Sequence, residues 1–384
     1  MRELDLIIEA FEQARANEIE CVLATVVHVE GSSYRKAGAR MLVDEYGQMT
    51  GAISGGCLEG DALRKALHAL HKNENKLVTY DTSDENDAVI GAQLGCNGVI
   101  QVLFEPIDIE KELNPIAILK QIASSEKKLV ITSLFNLDKS KPQLGTQLVF
   151  DEHSLKIGSI SNELLINKLK QDAALVFNQQ HDQFGEYMIE LEAQHAFLEF
   201  YNPPPTIVLV GAGNDAQILA QMADQLGWNV VVTDGRPTHA NAQRFVSSCQ
   251  IVVSKPEHVL ENIQLSERTV FVLISHNYQY DLAVLKLLLP LSEIPYIGLL
   301  GPRKKFNRML ADLSTEGIIP TAKQLARVYA PIGLNLGAET PAEIGLSILA
   351  EIQMVLSGGS GIALRDKQGP IHDKANTNFK VTTL

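Results

Sequence analysis

The sequence predicts an α/β protein: an N-terminal α/β domain followed by a C-terminal Rossmann-like, doubly wound parallel sheet. Three observations carry that expectation. Beyond Pro203-Pro204-Pro205, short apolar runs alternate with helical stretches at the spacing of a parallel sheet. The first of these runs, Ile207-Val208-Leu209-Val210, leads directly into Gly211-Ala212-Gly213. Ahead of the prolines, strand and helix patterns surround two glycine-flanked thiols, in Ser54-Gly55-Gly56-Cys57 and Gly95-Cys96-Asn97-Gly98.

Taken in order, Leu4, Ile7, Ile8 and Phe11 fall at helical spacing and predict a short amphipathic helix. Cys21 to Val29 and Ala39 to Asp44 read as strands, with a turn at residues 45–48 and a further strand leading to Ile53. Gly55-Gly56 opens a helix whose apolar positions are Leu58, Ala62, Ala66, Leu67 and Leu70. Strands at 77–80 and 99–104 complete a first α/β domain, residues 1–110. A middle α/β region and linker, 111–202, shows a helix at 116–122, strands at 129–135, 147–150, 187–191 and 196–200, and no catalytic motif. The triple proline can continue neither a helix nor a central strand. After it, the Rossmann-like domain spans 203–356, with strands at 206–210, 229–233, 250–253, 269–275 and 295–300. Its helices are expected at 215–226, 239–246, 256–262, 279–289 and 303–313. A last helix has Thr340 as N-cap, Pro341 in its first turn, Glu343 closing a capping box and Gly358 past its end. The Gly/Ser-rich tail, 357–384, reads as mobile.

Composition bounds the function. A chain of 384 residues with 45% hydrophobic and 21% charged residues is ordinary globular material, long enough for two or three cores. A net charge of −13 argues against nucleic acid held on a broad basic face. Cys21, Cys57, Cys96 and Cys249 have no framework spacing. No signal core or membrane-length apolar run is present, so a cytoplasmic location with reduced thiols is expected.

Four constellations carry chemistry. Gly211 and Gly213 admit a phosphate to helix N-terminal amides, and Asp234, at the end of the next strand, suits a ribose hydroxyl. Asp215 would repel a close phosphate, and Arg236 would either accept an extra phosphate or pair with Asp234. Cys57 heads a helix, where the dipole favours a thiolate that Glu59 opposes, and Gly55-Gly56 would let a ligand reach the sulfur. Cys96 repeats this theme, although a small core residue is the plainer reading for any single cysteine. Ser32, Ser33, Arg35, Lys36 and Arg40 form a basic loop in an acidic protein, either an anion cradle or a solvated hairpin. His276, after the fourth strand of the second domain, is the candidate acid or base, or a loop-holding residue. Arg303-Lys304-Lys305 after the fifth strand could also meet phosphate.

The blocks GSSYRKAGARMLV, GAISGGCLEG, GCNG, the PPP-to-GAG junction, TDGRP, SHNYQYD, YIGLLGPRKK and APIGLNLGAETPAEIGLSILAEI together resemble the XdhC/CoxI family. The likeness covers roughly residues 20–105 and 203–356. Members are accessory proteins of xanthine dehydrogenase and related molybdenum hydroxylases. The resemblance implies a chaperone, rather than a turnover enzyme, that binds molybdenum cofactor as molybdopterin or its cytosine dinucleotide. It would support sulfuration and insertion into the client hydroxylase, with a cysteine desulfurase as a further partner and a homodimer as the default assembly. Carried onto this chain, Cys57, with Cys96, would approach molybdenum beside Ser33, Gly55 and Gly56, while Arg35, Arg40 or the Gly211–Gly213 loop would hold the phosphate end. Gly211, Gly213 and Asp234 would serve the phosphate or nucleotide end. Tyr34 stands where the family usually has proline, Asn97 replaces a glycine, and Asn214-Asp215 replaces His-Val. Two other readings stand beside this one: an NAD(P)-dependent oxidoreductase using His276 as proton donor, and a non-catalytic docking scaffold.

Overall fold

Helix α1 (Arg2–Ala16) buries Ile7, Phe11 and Ala14, and the strand that follows, β1 (Cys21–Gly31), is buried along nearly its whole length. A strand buried on both faces reads as a continuous apolar run, and both faces of β1 are covered. Val22, Ala24 and Val26 turn to a helix layer, while Val27 turns to a second sheet. The computed structural model describes residues 2–31, 33–56, 58–81, 98–189, 192–246, 249–368 and 379–383.

Around β1 lie β2 (Arg40–Asp44), β3 (Met49–Gly51), β4 (Lys76–Asp81) and β5 (Gly98–Pro106), in the antiparallel order β3-β2-β1-β5-β4. Helix α2 (Glu59–Lys72) lays Ala62, Ala66 and Ala69 on this sheet beside Leu58. After α3 (Pro115–Ala123) comes a second sheet of β6 (Leu129–Phe135), β7 (Gly145–Phe150), β8 (Leu155–Ile157), β9 (Gln183–Ile189) and β10 (Glu192–Tyr201). Helix α4 (Glu163–Gln179), which the sequence reading leaves out, covers it with Leu165, Leu169, Ala173 and Val176. Its N-terminus is capped by Asn162, which accepts from the Leu165 amide.

The sequence separates these two regions near residue 110, yet residues 3–203 form one compact unit. The reason is apolar: Val27, Leu77 and Leu103 of the first sheet share a cluster with Phe135, Phe184 and Phe197 of the second. Glu105 of β5 reinforces it by accepting from the Thr146 amide at 2.6 Å and the Thr146 hydroxyl at 2.9 Å.

The second unit, residues 204–368, contains β11 (Thr206–Val210), α5 (Asn214–Gln225), β12 (Asn229–Asp234), β13 (Gln250–Val253), β14 (Thr269–Leu273) and α6 (Tyr278–Leu288). It continues through β15 (Tyr296–Leu299), α7 (Arg303–Thr315), α8 (Ala322–Leu325), β16 (Val328–Tyr329) and α9 (Pro341–Ser357). All its strands are parallel, in the order β13-β12-β11-β14-β15-β16. That order is the doubly wound one, and its direction reverses between β11 and β14. Helices α5 and α9 cover one face, α6 and α7 the other. The capping box of Thr340 and Glu343 and the left-handed Gly358 form as the sequence predicts.

Two expected helices do not form. Residues 239–246 run as turns, because the Asn241 side chain bonds its own backbone neighbours, to Thr238 O and from Gln243 N, in place of a helical ladder. Residues 256–262 shrink to a single 3-10 turn, Pro256–His258. Of the tail, residues 369–378 lie outside the described residues, and beyond them β17 (Lys380–Thr383) pairs in parallel with the outer edge of β9. Phe379 stacks on His28 at 4.4 Å and lies edge-on to His195 at 5.0 Å, and Lys380 reaches the buried Asp172 at 3.3 Å. Among the described residues no helix is long and apolar enough to cross a membrane.

Candidate functional site

In the first unit the chemistry gathers where β3 runs into α2. Ser54 and Glu59 fold this turn: the Ser54 amide and hydroxyl donate to Glu59, and Ser54 Oγ accepts from the Gly56 and Leu58 amides. The Leu58 amide also donates to Glu59 Oε2 at 3.1 Å. Burial works against ionising Glu59, but these donors outweigh it and hold the carboxyl below its usual range. The amides at the mouth of α2 are thus partly used by the protein's own carboxylate. Gly55 and Gly56 are exposed; Gly56 has φ +105°, and a Cβ there would meet nothing within 4 Å. The backbone beside position 57 is therefore open. Cys57 and Cys96 themselves lie outside the described residues.

The basic loop stands over this turn. A Cβ on Gly55 would touch the Tyr34 ring at 3.0 Å. Ser33 Oγ is shielded from solvent and has no hydrogen-bond partner among the described residues. Arg35 is half-buried and donates to both oxygens of Glu3 at 2.5 Å. Arg40 is placed differently from the expectation of an open cradle. It is buried in β2, donates to Gly38 O at 3.0 Å and Glu199 Oε1 at 3.1 Å, and forms a second, shorter bond to Glu199 Oε2. Burial disfavours its charge, yet Glu199, then Glu105 and Asp182, hold the guanidinium above its ordinary range. Its charge is committed to the interior, because a buried guanidinium requires a buried counter-ion.

In the second unit the glycine loop sits at the topological switch point. Gly211 has φ +122°, and a Cβ there would lie 2.5 Å from the Ser275 backbone, so only glycine lets β11 and β14 end this close together. Gly213 caps α5, with the His276 ring 3.8 Å from its would-be Cβ. His276 is exposed, has φ +56°, and brings Nε2 to 3.5 Å from Asp215 Oδ2. This left-handed backbone is held by a buried network beneath it. Asp281 accepts from Ser275 Oγ at 2.5 Å and from Lys305 Nζ at 2.7 Å, and Ser275 Oγ accepts from the Asn277 amide. Lys305 is thereby drawn inward, while Arg303 and Lys304 stay exposed.

Asp234 is placed at the end of β12, as expected for a ribose ligand, but its carboxylate is full. It accepts from the Ala212 amide at 2.9 Å, and from Arg236 N, Nε and Nη2 at 2.9, 2.9 and 2.8 Å. A carboxylate has about four acceptor sites, and four donors occupy these. Burial opposes ionisation, but the bonds from Arg236 and Ala212 outweigh it and lower the pKa. Beside the loop, Asp215, Leu219, Ile274, Pro341 and Ile344 line a small recess of about 30 Å³.

Sequence reading missed Glu3, Glu199 and Arg244, the last of which donates to Asn214 at 2.9 Å at the head of α5. Glu199 lies 159 residues from Arg40, and no local pattern marks such a pair. Among the described residues no group of three or more His, Cys, Asp or Glu is arranged to hold a metal ion.

Known proteins share this architecture. Residues 207–352 match the XdhC Rossmann domain, and residues 14–81 match the XdhC and CoxI family. The chain is 31% identical over 351 residues to a Bacillus subtilis protein named as a probable subunit of xanthine dehydrogenase, covering 91% of this chain and 95% of that one. It is 23% identical over 334 residues to the molybdenum cofactor insertion chaperone PaoD of Escherichia coli, covering 87% of this chain and 83% of that one. A crystal structure described as a xanthine dehydrogenase from Bacillus halodurans superposes with a TM-score of 0.71 at 29% identity, covering 92% of this chain and 97% of that one.

Proposed function

This chain belongs to the XdhC and CoxI family, and we propose that it is an accessory protein that carries molybdenum cofactor to a xanthine dehydrogenase or related molybdenum hydroxylase. The names of its relatives support an accessory role, one of them being an insertion chaperone. The observation that carries the reading is the turn at Ser54–Gly56, where exposed backbone next to Cys57 faces open space under a loop bearing Ser33 and Arg35. Molybdenum binds readily to sulfur, and an anionic pterin phosphate suits a guanidinium and free hydroxyl donors. In this proposal Cys57, with Cys96, approaches the metal of the cargo while Arg35 and Ser33 hold its anionic end. The cargo, as molybdopterin or its cytosine dinucleotide, leaves for the client, so its hold here must be weaker than the client's. Sulfuration of the cargo, with a cysteine desulfurase as sulfur donor, and a homodimeric assembly complete the proposal.

The Rossmann unit offers the Gly211–Gly213 loop and His276 at its switch point. An NAD(P)-dependent oxidoreductase would ask Asp234 to accept from a ribose in place of the donors that Arg236 and Ala212 supply to it here. The chaperone reading asks nothing of Asp234 beyond bracing the loop through Ala212.

The test is retention of cargo. Wild type and the Cys57→Ala/Cys96→Ala double variant are purified from a cofactor-producing host, and pterin and molybdenum are assayed. We expect the variant to lose most of both; equal retention would remove the thiols from the site.

A further inference from the structure

We infer that the Arg35 guanidinium and the Ala52 amide form an oxyanion subsite whose resident occupant is the protein's own Glu3 carboxylate. The inference rests on the cofactor-binding role proposed for the basic loop, and it adds a ligand class and a built-in competitor.

Three observations carry it. Glu3 Oε1 and Oε2 both accept from Arg35 Nη2 at 2.5 Å, and Oε1 also accepts from the Ala52 amide at 3.2 Å. These donors come from the two segments that border the candidate site. Arg35 follows Tyr34, whose ring lies on Gly55, and Ala52 stands two residues before Ser54. A guanidinium together with a backbone amide is the donor set that a phosphate oxygen takes. Finally, Ser33 Oγ, in the same loop, is shielded and without a partner among the described residues, a donor that a further ligand oxygen would satisfy.

Glu3 and Arg35 side chains are 38% and 33% exposed, and a pair this open to water is held weakly. A phosphate or diphosphate carries more charge and more acceptor oxygens than a carboxylate, so it displaces Glu3 from Arg35. The carboxylate then swings out and α1 loses one tie to the loop. When the cargo departs, Glu3 returns to Arg35 and the Ala52 amide, and this competition makes release easier. The ligand class is a phosphate monoester or diphosphate group.

Pyrophosphate serves as the probe, titrated calorimetrically into the full chain as wild type, Glu3→Gln, Glu3→Ala, Arg35→Ala and Glu3→Gln/Arg35→Ala. Removing the competitor should tighten binding by about twofold to fivefold in both Glu3 variants. Adding Arg35→Ala should abolish that gain. If Arg35→Ala weakens binding while both folded Glu3 variants match wild type, the self-occupancy is overturned and the role of the loop survives. If Arg35→Ala leaves pyrophosphate affinity unchanged, or no version binds it, the loop reading falls and the subsite with it.

Discussion

Arg35 and Arg40 share one loop in the sequence, and the structure gives them opposite tasks. Arg35 sits at the surface in a weak pair with Glu3, whereas Arg40 is buried against Glu199 with Glu105 and Asp182 nearby. Deleting one partner of a buried pair strands the other charge, so Arg40→Ala should cost about 3 to 5 kcal/mol. Arg35→Ala should cost about 1 kcal/mol or less. Urea titration of the two variants distinguishes these outcomes. The same cluster predicts a pH effect. Burial, and then the charge of Glu199, push the Asp182 carboxyl up to about 6. The folded state thus binds a proton that the unfolded chain, near the ordinary value of about 4, has already lost. The contribution of Asp182 to stability is therefore full below pH about 4 and declines as pH rises through about 6. Asp182→Asn should flatten the melting temperature across that window relative to wild type, and parallel curves would contradict the assignment. None of these partnerships is legible in the sequence, where a basic loop shows its charges but not the carboxylates brought to it from α1, β5, β10 and the residue before β9.

At the scale of elements, legibility follows burial. Five of the six Rossmann strands are readable to within a residue or two because each is an apolar run bounded by polar turns, while the two-residue β16 is too short to show; the caps of α9 are readable because Thr340, Pro341, Glu343 and Gly358 each have one local meaning. Helix α4 is equally marked, by Asn162 and by Leu165, Leu169, Ala173 and Val176, yet it is easily overlooked among the surrounding strands. Residues 239–246 mislead because Ala240 and Phe245 are buried without the i, i+3, i+4 stripe that a helix needs. The strand β17 escapes a sequence reading altogether, since its partner β9 lies some two hundred residues earlier and three of its four residues are polar. Its anchor is the Phe379 ring among His28, Phe135, Phe184 and His195. Phe379 is partly buried against the cluster of both sheets, so Phe379→Ala removes the ring that ties the tail down and should release β17. Hydrogen exchange should then quicken at the amides of β9 that face the tail; unchanged protection there would show that the strand holds without its ring.

At the scale of the molecule, two units each carry their own core. Residues 204–368 close a parallel sheet between two helical layers, each with its own apolar cluster. A fragment of residues 204–368 should therefore unfold cooperatively in urea by circular dichroism; a gradual, sloping loss of signal would contradict this. The candidate site is legible in part: the sequence names the glycines, Arg35, Ser33 and Asp234, but not the bonds that Asp234 takes from Ala212 and Arg236 or the Tyr34 ring that lies on Gly55. Everything proposed for the site requires that this chain carry a pterin-bound molybdenum centre. The direct measurement is to purify the full chain from a cofactor-producing host, denature it, and identify the released small molecule by mass spectrometry with metal analysis in parallel. Molybdenum and a pterin in equal amounts are the expected result. A nicotinamide dinucleotide in their place, or a chain that releases nothing, would contradict it.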